Sequence, residues 1–237
     1  MTFAAVSLVV LLLPSLLGLA VSWKIDRDGH PSGWAGWATK RKPGTFPARL
    51  PLILVNQAIL AVSAALGLYA IAGRFPLGMP SLPLLALHFG MLVLVDDIVF
   101  YWVHRTLHTN KTLYRLIHKK HHEAFAPVPA EYLYVHPLEW MIGSAGPVAG
   151  VALVLGIWGE MSAWTFWLWG AFRTLHELDI HSGIRSSWAR AIPLYGVMEH
   201  HDRHHAKPTL GNYASTLTLW DKVFQTEIPP AEPRSPA

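Results

Sequence analysis

Apolar residues run along this chain in long, nearly unbroken blocks separated by shorter polar segments. Five blocks, at about 2–21, 50–73, 82–103, 138–158 and 161–180, are long enough to cross a hydrocarbon core as helices, which takes about 20 residues. The first has no Lys or Arg ahead of it and no small-residue cleavage site, so it is expected to be a retained span, not a signal peptide. Gly73, Pro76, Gly78 and Pro80 predict a turn between the second and third blocks, and Trp158-Gly159-Glu160 one between the fourth and fifth. The polar segments 22–49, 104–136 and 181–237 hold six, five and six Lys or Arg residues; only Arg74 falls in a loop on the other side, and Arg173 lies inside the fifth block. By the positive-inside rule, the basic segments face the cytoplasm and the N-terminus lies outside. The pattern predicts an all-α, multi-span transmembrane helical bundle with a cytoplasmic helical cap.

Composition narrows the function classes. Of 237 residues, 52% are hydrophobic and 14% charged, against roughly 25% charged in an average soluble domain. This disfavours disorder, an ordinary soluble enzyme and a nucleic-acid-binding protein. With no cysteine, a disulfide framework, an iron–sulfur cluster and a thiolate nucleophile are excluded. The net charge of +4 is modest. The unusual count is histidine: 14 residues, of which only His30 and His88 lie outside 104–205. These two are expected to be structural.

The remaining histidines are spaced for helix faces. His104 and His108 are four apart at the end of the third block; His118, His121 and His122 follow; His201, His204 and His205 repeat the same spacing. Residues three or four apart share a face, so each set aims its imidazoles at one region. Neutral imidazoles suit borderline metals such as iron or zinc, and eight of them exceed what one metal takes, which implies two. His181 is a single histidine at the end of the fifth block, and spacing leaves it open between ligand and helix cap. His176, five residues earlier, points elsewhere on a helix. Asp96 and Asp97 stand in an apolar block, where a carboxylate needs a polar partner. Asp97 is expected to accept the free N–H of a metal-bound imidazole or to pair with Arg105. Asp202, Glu139 and Glu177 are further carboxylates near the clusters, and His136 and His200 are expected as near-site neighbours.

Asp97-Ile-Val-Phe-Tyr-Trp-Val-His104-Arg-Thr-Leu-His108, His121-His122, Tyr132 with His136-Pro-Leu-Glu139, Ile180-His181-Ser-Gly183, His200-His201-Asp-Arg-His204-His205, Asn212-Tyr213 and Leu219-Trp-Asp221-Lys-Val-Phe224-Gln-Thr226 occur in this order. The set resembles the fatty acid hydroxylase / sterol desaturase superfamily of membrane di-iron enzymes over about residues 90–226. Ala214 and Gln225 stand where that family often has glycine. The resemblance implies nine metal ligands: His104, His108, His118, His121, His122, His181, His201, His204 and His205. It implies two iron ions, replaceable by zinc on purification, with O2 as co-substrate. It also implies hydroxylation or desaturation of a lipid, an acyl chain or a sterol, at a C–H position. A separate electron donor follows, a ferredoxin, rubredoxin or b-type cytochrome with its reductase, docked on the basic face. The organisation expected is an anchor over 1–85, a catalytic domain over 86–226 and an unstructured tail over 227–237. The alternatives are a histidine-rich membrane metal transporter, whose ligands belong near the midplane, and a zinc metalloenzyme, for which the usual H-E-x-x-H is absent.

Overall fold

The computed structural model describes residues 2–30, 41–186 and 189–229. Most of the tail expected over 227–237, together with Lys40 and Arg234 of the basic segments, lies outside them. The described chain is helical, with no strand among the described residues. The long elements are α1 (Thr2–Asp28), α2 (Phe46–Ala70), α3 (Leu82–Thr109), α5 (Pro137–Trp158) and α6 (Ala163–Ile180). Between α3 and α5 lies α4 (residues 111–122), and after α6 come the short helices α7 (Met198–Ala206) and α8 (Leu219–Val223).

Four of these, α1, α2, α3 and α5, are long and apolar enough to cross a membrane. Their outward faces are studded with exposed apolar side chains: Leu13 and Leu17 on α1, Val62 and Leu66 on α2, Leu87 and Leu94 on α3, Val148 and Ile157 on α5. No water-soluble core would leave so much apolar surface uncovered. The fifth block departs from expectation. Its helix, α6, carries Arg173, Glu177 and Asp179 and falls outside the membrane-length apolar set. Only the stripe Trp164, Leu168 and Leu175 is exposed; most of the rest is buried between α1 and α3. It therefore traverses the bundle as an inner helix, and polar residues are tolerated because protein, not lipid, surrounds them.

Both ends of the bundle follow from local sequence. At the end away from the histidines, Phe3 stacks on Phe75 at 4.2 Å and meets Phe166 edge-on at 5.6 Å. These rings seal α1, the turn after α2 and α6 into one apolar core with Leu92, Met161 and Trp169. Gly146 and Gly150 of α5 sit directly against Asp96 and Leu92 of α3, so the two helices approach as closely as their backbones allow. At the other end, Arg41 pairs with Asp26 at 2.7 Å and with Glu131 at 2.8 Å, and Arg49 adds a 2.7 Å contact to Glu131. The network ties the end of α1 and the start of α2 to the turn Pro129–Leu133. Burial would lower the Arg41 pKa, but Glu131 and Asp26 raise it overall.

The chain reversal after α3 creates the site. Asn110 ends α3, and its side-chain oxygen accepts from Thr112 N at 3.0 Å and Leu113 N at 3.1 Å, starting α4 without a loop. α4 contains one π-helical turn, Tyr114–His118, which rotates the following residues relative to a regular helix. His118, His121 and His122 are thereby turned in toward the end of α3.

Candidate metal centre

The histidines gather into two buried groups. His104 and His108 of α3, His118 and His122 of α4 and His204 of α7 form one; His121, His181, His201 and His205 form the other. Within each group, one ring nitrogen per residue lies within 4.8 Å of all the others. In the first, Nε2 of His108 is 3.2 Å from that of His104 and 2.7 Å from that of His118, and Nε2 of His122 is 3.1 Å from that of His118. In the second, Nε2 of His201 is 3.0 Å from that of His181 and 3.1 Å from that of His205. The sets read from the sequence are thus regrouped across the fold: α4 and α7 each contribute to both groups.

The far nitrogens decide what these contacts mean. His104 Nδ1 donates to the Tyr213 carbonyl at 2.7 Å, and His204 Nδ1 donates to the Gly211 carbonyl at 2.8 Å. His118 Nδ1 donates to Glu139 Oε1 at 2.8 Å, and His181 Nδ1 donates to the Glu177 carbonyl at 2.8 Å. Three of those acceptors are carbonyl oxygens, which carry no proton, so Nδ1 of His104, His181 and His204 bears the hydrogen and their Nε2 presents a bare lone pair. Burial, reinforced by neighbouring imidazoles, holds His118, His121, His122, His201, His204 and His205 well below the ordinary imidazole pKa, and burial takes His181 to about 4. Neutral rings with lone pairs facing each other at these distances repel unless a cation stands between them. All-imidazole donors fit iron, zinc or copper, so the residues present fit a pair of transition-metal ions.

The other expected near-site residues divide. Glu139 and Glu177 orient ligand-group rings as described. His200 is buried and pairs with Asp221 at 2.9 Å. Asp202 is buried on α7. Asp97 does not reach an imidazole or Arg105. It accepts from Thr216 N at 2.8 Å, Leu217 N at 3.1 Å and the Trp220 indole at 2.7 Å, because its place on α3 faces the returning loop 211–218. Arg105 donates instead to the Tyr101 hydroxyl. His136 caps α5, accepting from Leu138 N at 3.1 Å, and the proline after it fixes it at that entry, away from the two groups. His176 shares a hydrogen bond with the Tyr195 hydroxyl, outside both groups.

Sequence reading assigned no role to Gly211, Tyr213 and Asp221, which the structure makes central. Asp221 accepts from Tyr213 N at 2.9 Å and Ala214 N at 3.0 Å, fixing the loop whose carbonyls hold His104 and His204. Burial raises the Asp221 pKa, but hydrogen bonds from His200 and Thr226 bring it below the usual carboxylate value. The Asn212-Tyr213 and Trp220-Asp221 motifs were visible; their pairing through backbone carbonyls was not.

A cavity of about 820 Å³ runs beside both groups. His104, His118, His121, His181 and His201 form its end, and Ile59, Leu68, Val103, Val151, Leu155 and Phe166 line its apolar length between α2, α3, α5 and α6. α2 packs on α1, and α5 on α3, with the cavity between them. The site therefore presents two histidine groups that could each hold a metal ion to a long apolar chamber among the membrane-length helices.

Among curated proteins, the chain is 36% identical over 200 residues to methylsterol monooxygenase 1 of Rattus norvegicus, covering 80% of this chain and 66% of that one. It is 34% identical to methylsterol monooxygenase 1 of Danio rerio, covering 78% and 65%. It is 31% identical over 224 residues to a very-long-chain aldehyde decarbonylase of Oryza sativa subsp. japonica, covering 91% and 79%. The chain thus spans just under two thirds of the length of these methylsterol monooxygenases. No solved structure matches it. The fatty acid hydroxylase family profile matches residues 89–226, from the third turn of α3 to the segment after α8. That stretch includes every histidine of both groups and the loop that orients them, and by it this chain belongs to the fatty acid hydroxylase family.

Proposed function

We propose that this chain is a membrane-bound, O2-dependent lipid hydroxylase whose two histidine groups hold two iron ions. The observation that carries the reading is the opening of both groups onto one membrane-depth apolar cavity. Histidine-held iron, when bound, supplies the O2 activation needed to break an unactivated C–H bond, chemistry that no side chain provides. The protein's own part is positional. Tyr213, Gly211, Glu139 and Glu177 fix ring tautomers and angles, and the apolar wall takes the hydrocarbon and excludes water. The reaction is C–H plus O2, two electrons and two protons to C–OH plus water. Hydroxylation is preferred to desaturation as the simpler outcome, and the relatives named as monooxygenases support it. The electrons come from a separate one-electron carrier, a ferredoxin, a rubredoxin or a b-type cytochrome served by a reductase.

The basic residues Arg41, Lys42, Arg49, Lys111, Arg115, Lys119 and Lys207 all lie at the histidine end, and Arg74 at the other. By the positive-inside rule the histidine end faces the cytoplasm. The reading is tested on protein purified in lipid by elemental analysis, O2 uptake with a reductant, and mass analysis of lipid products formed under isotopically labelled O2. The expected result is about two metals per chain, with iron restoring activity and one labelled oxygen atom in the product. Metal content near zero, or full activity with a single metal, overturns it.

A further inference from the structure

The wall of the long cavity is not equally covered on every side. Its histidine end is shut: the five histidines there are buried, and so are Tyr132, Val135 and Glu139 beside them. The lining residues supplied by α1, α3 and α6 are buried or half-buried, and none is exposed. Among the described residues, six that line the cavity are exposed, and all belong to two helices: Ser63, Gly67 and Ala70 on α2, and Met141, Val148 and Ala152 on α5. Val148 and Met141 keep 65% and 60% of their surface open. Contact with the cavity alone does not expose a residue this far, because Phe166 and Trp169 on its back wall are only 5% and 4% exposed. The six therefore also reach the outside of the bundle.

The opening follows from how the helices pair. α2 meets the first turns of α5, Pro137–Gly143, at the histidine end. Past that point α2 leans on α1 and α5 on α3, so the two part and leave a slot with α6 behind it. Small residues keep the slot clear: a Cβ added to Gly67 or Gly143 meets nothing within 4 Å. It runs beside the cavity from Gly143 to Leu155, about 18 Å of helix. Its rims continue into the apolar outer faces of the same helices, Val62 and Leu66 on one side and Leu153 and Ile157 on the other. Both helices are of membrane length, so lipid hydrocarbon lies against the slot. A chain that reached the cavity through water would first have to leave the bilayer, which the hydrophobic effect opposes. Through the slot it exchanges one apolar surrounding for another.

We infer that the slot between α2 and α5 is a lateral doorway through which a hydrocarbon chain passes from the bilayer into the cavity, and that Gly67, Val148 and Ala152 on its rims set how wide a chain it admits. The inference rests on the oxidase reading above only in taking the lipid that passes as the substrate. The occupant is a chain and not a helix of a second copy, since a helix laid across the rims would leave the volume of about 820 Å³ behind them empty. The doorway lies away from the histidines, beyond the contact of α2 with Pro137–Gly143. A lipid has to slide along the cavity to reach them, and the bulk of the bilayer stays screened from both histidine groups.

The test uses the full chain, one copy per lipid nanodisc, with a diazirine-bearing hexadecane as the probe. Irradiation at set times after mixing, followed by mass analysis of peptides, reads where the chain has reached. In the wild type the buried back wall, Phe166 and Trp169, should become labelled, with Leu13 on the outer face of α1 as the reference. Gly67→Trp with Val148→Trp and Ala152→Trp fills the slot. It should slow back-wall labelling relative to Leu13 by about tenfold, as overfilling a packed passage does. Leu66→Trp with Leu153→Trp and Ile157→Trp adds comparable bulk to the same two helices at positions that do not line the cavity, and should label as the wild type does. Gly67→Trp alone fills open space and should show a smaller slowing, which keeps the test intact if the triple variant unfolds. A back wall that is never labelled in the wild type, or labelling at an unchanged rate in the slot variants, overturns the inference. So does back-wall labelling that disappears when two copies share a nanodisc, which would give the slot to a second copy. Labelling requires neither metal nor O2, and this separates the two readings. Slowed labelling without O2-dependent oxidation in any sample sinks only the oxidase reading. Lipid oxidation at the wild-type rate in the triple slot variant sinks only this one.

Discussion

Which nitrogen of each imidazole is free is decided by a single acceptor on its far side. Three of the four acceptors fixed here are backbone carbonyls, those of Tyr213, Gly211 and Glu177. The fourth is a side chain, Glu139, and it is the one that substitution can remove without moving the backbone. Glu139→Gln keeps the shape but replaces the carboxyl group with an amide that can turn its NH2 toward the ring, so the His118 ring loses its fixed orientation. Metal affinity should fall by about 10–100-fold, measured by chelator competition, with helicity unchanged. His88→Phe is the contrasting case. His88 is buried against Trp158 at 4.6 Å, and neither ring nitrogen has a hydrogen-bond partner among the described residues. An apolar ring of similar shape removes two unsatisfied polar atoms and should leave metal binding unchanged with stability equal or higher. Equal metal affinity in both variants would mean that the Glu139 contact is passive.

Among the elements, the ones legible in the sequence were those whose signal is local. Long apolar blocks gave the helices, Gly73, Pro76, Gly78 and Pro80 marked the turn before the third, and spacing put His201, His204 and His205 on one helix. What was not legible depends on chain return. Nothing near His104 announces that its ring is aimed by the carbonyl of Tyr213, more than a hundred residues later, or that Asp97 serves that loop and not a histidine. Nor does hydropathy alone reveal that the last apolar block is an inner helix, because charge is tolerated there only once neighbours surround it. The loop 211–218 is the element on which both faces of this problem meet. Gly211 has φ +148°, and a side chain there would overlap the Thr226 carbonyl. The next residue, Asn212, holds φ 56°, with its side chain bonded to the His200 carbonyl and to Ile228 N. Gly211→Ala should therefore displace the carbonyl that orients His204. The expected outcome is a loss of roughly 1–3 kcal/mol of stability for a strained backbone position and weakened metal binding, read together by thermal unfolding with and without iron. A variant with wild-type melting and metal content would show that the loop tolerates the shift.

Across the whole molecule, charge and chemistry are gathered at one end and apolar volume occupies the rest. The two histidine groups lie at the boundary between them, beside the apolar cavity on one side and the polar end of the bundle on the other. On the reading proposed above, the approach for electrons has a specific address. Tyr114, half-buried on the π-helical turn of α4, packs against His108 at 5.5 Å, His122 at 6.1 Å and His118 at 6.2 Å. It is the aromatic bridge between the first histidine group and the outer face of α4, where Lys111, Arg115 and Lys119 are exposed. A cationic rim around a short path to the metals suits an acidic carrier, because complementary charge speeds encounter and fixes orientation more than it adds affinity. Lys111→Glu with Arg115→Glu should slow association of an acidic ferredoxin or b-type cytochrome by about tenfold at low salt and flatten the salt dependence of the rate. Iron content and lipid binding should remain as in the wild type, since neither side chain lines the cavity or touches a histidine group. Arg74→Glu, at the opposite end of the bundle, should leave carrier association unchanged. In sealed vesicles of known orientation, the reduced carrier should support turnover only where the Lys111 end faces outward. Stopped-flow association rates for the three proteins across ionic strength make the comparison. An unaltered rate in the double variant, or an equal loss in Arg74→Glu, would place electron entry elsewhere on the molecule.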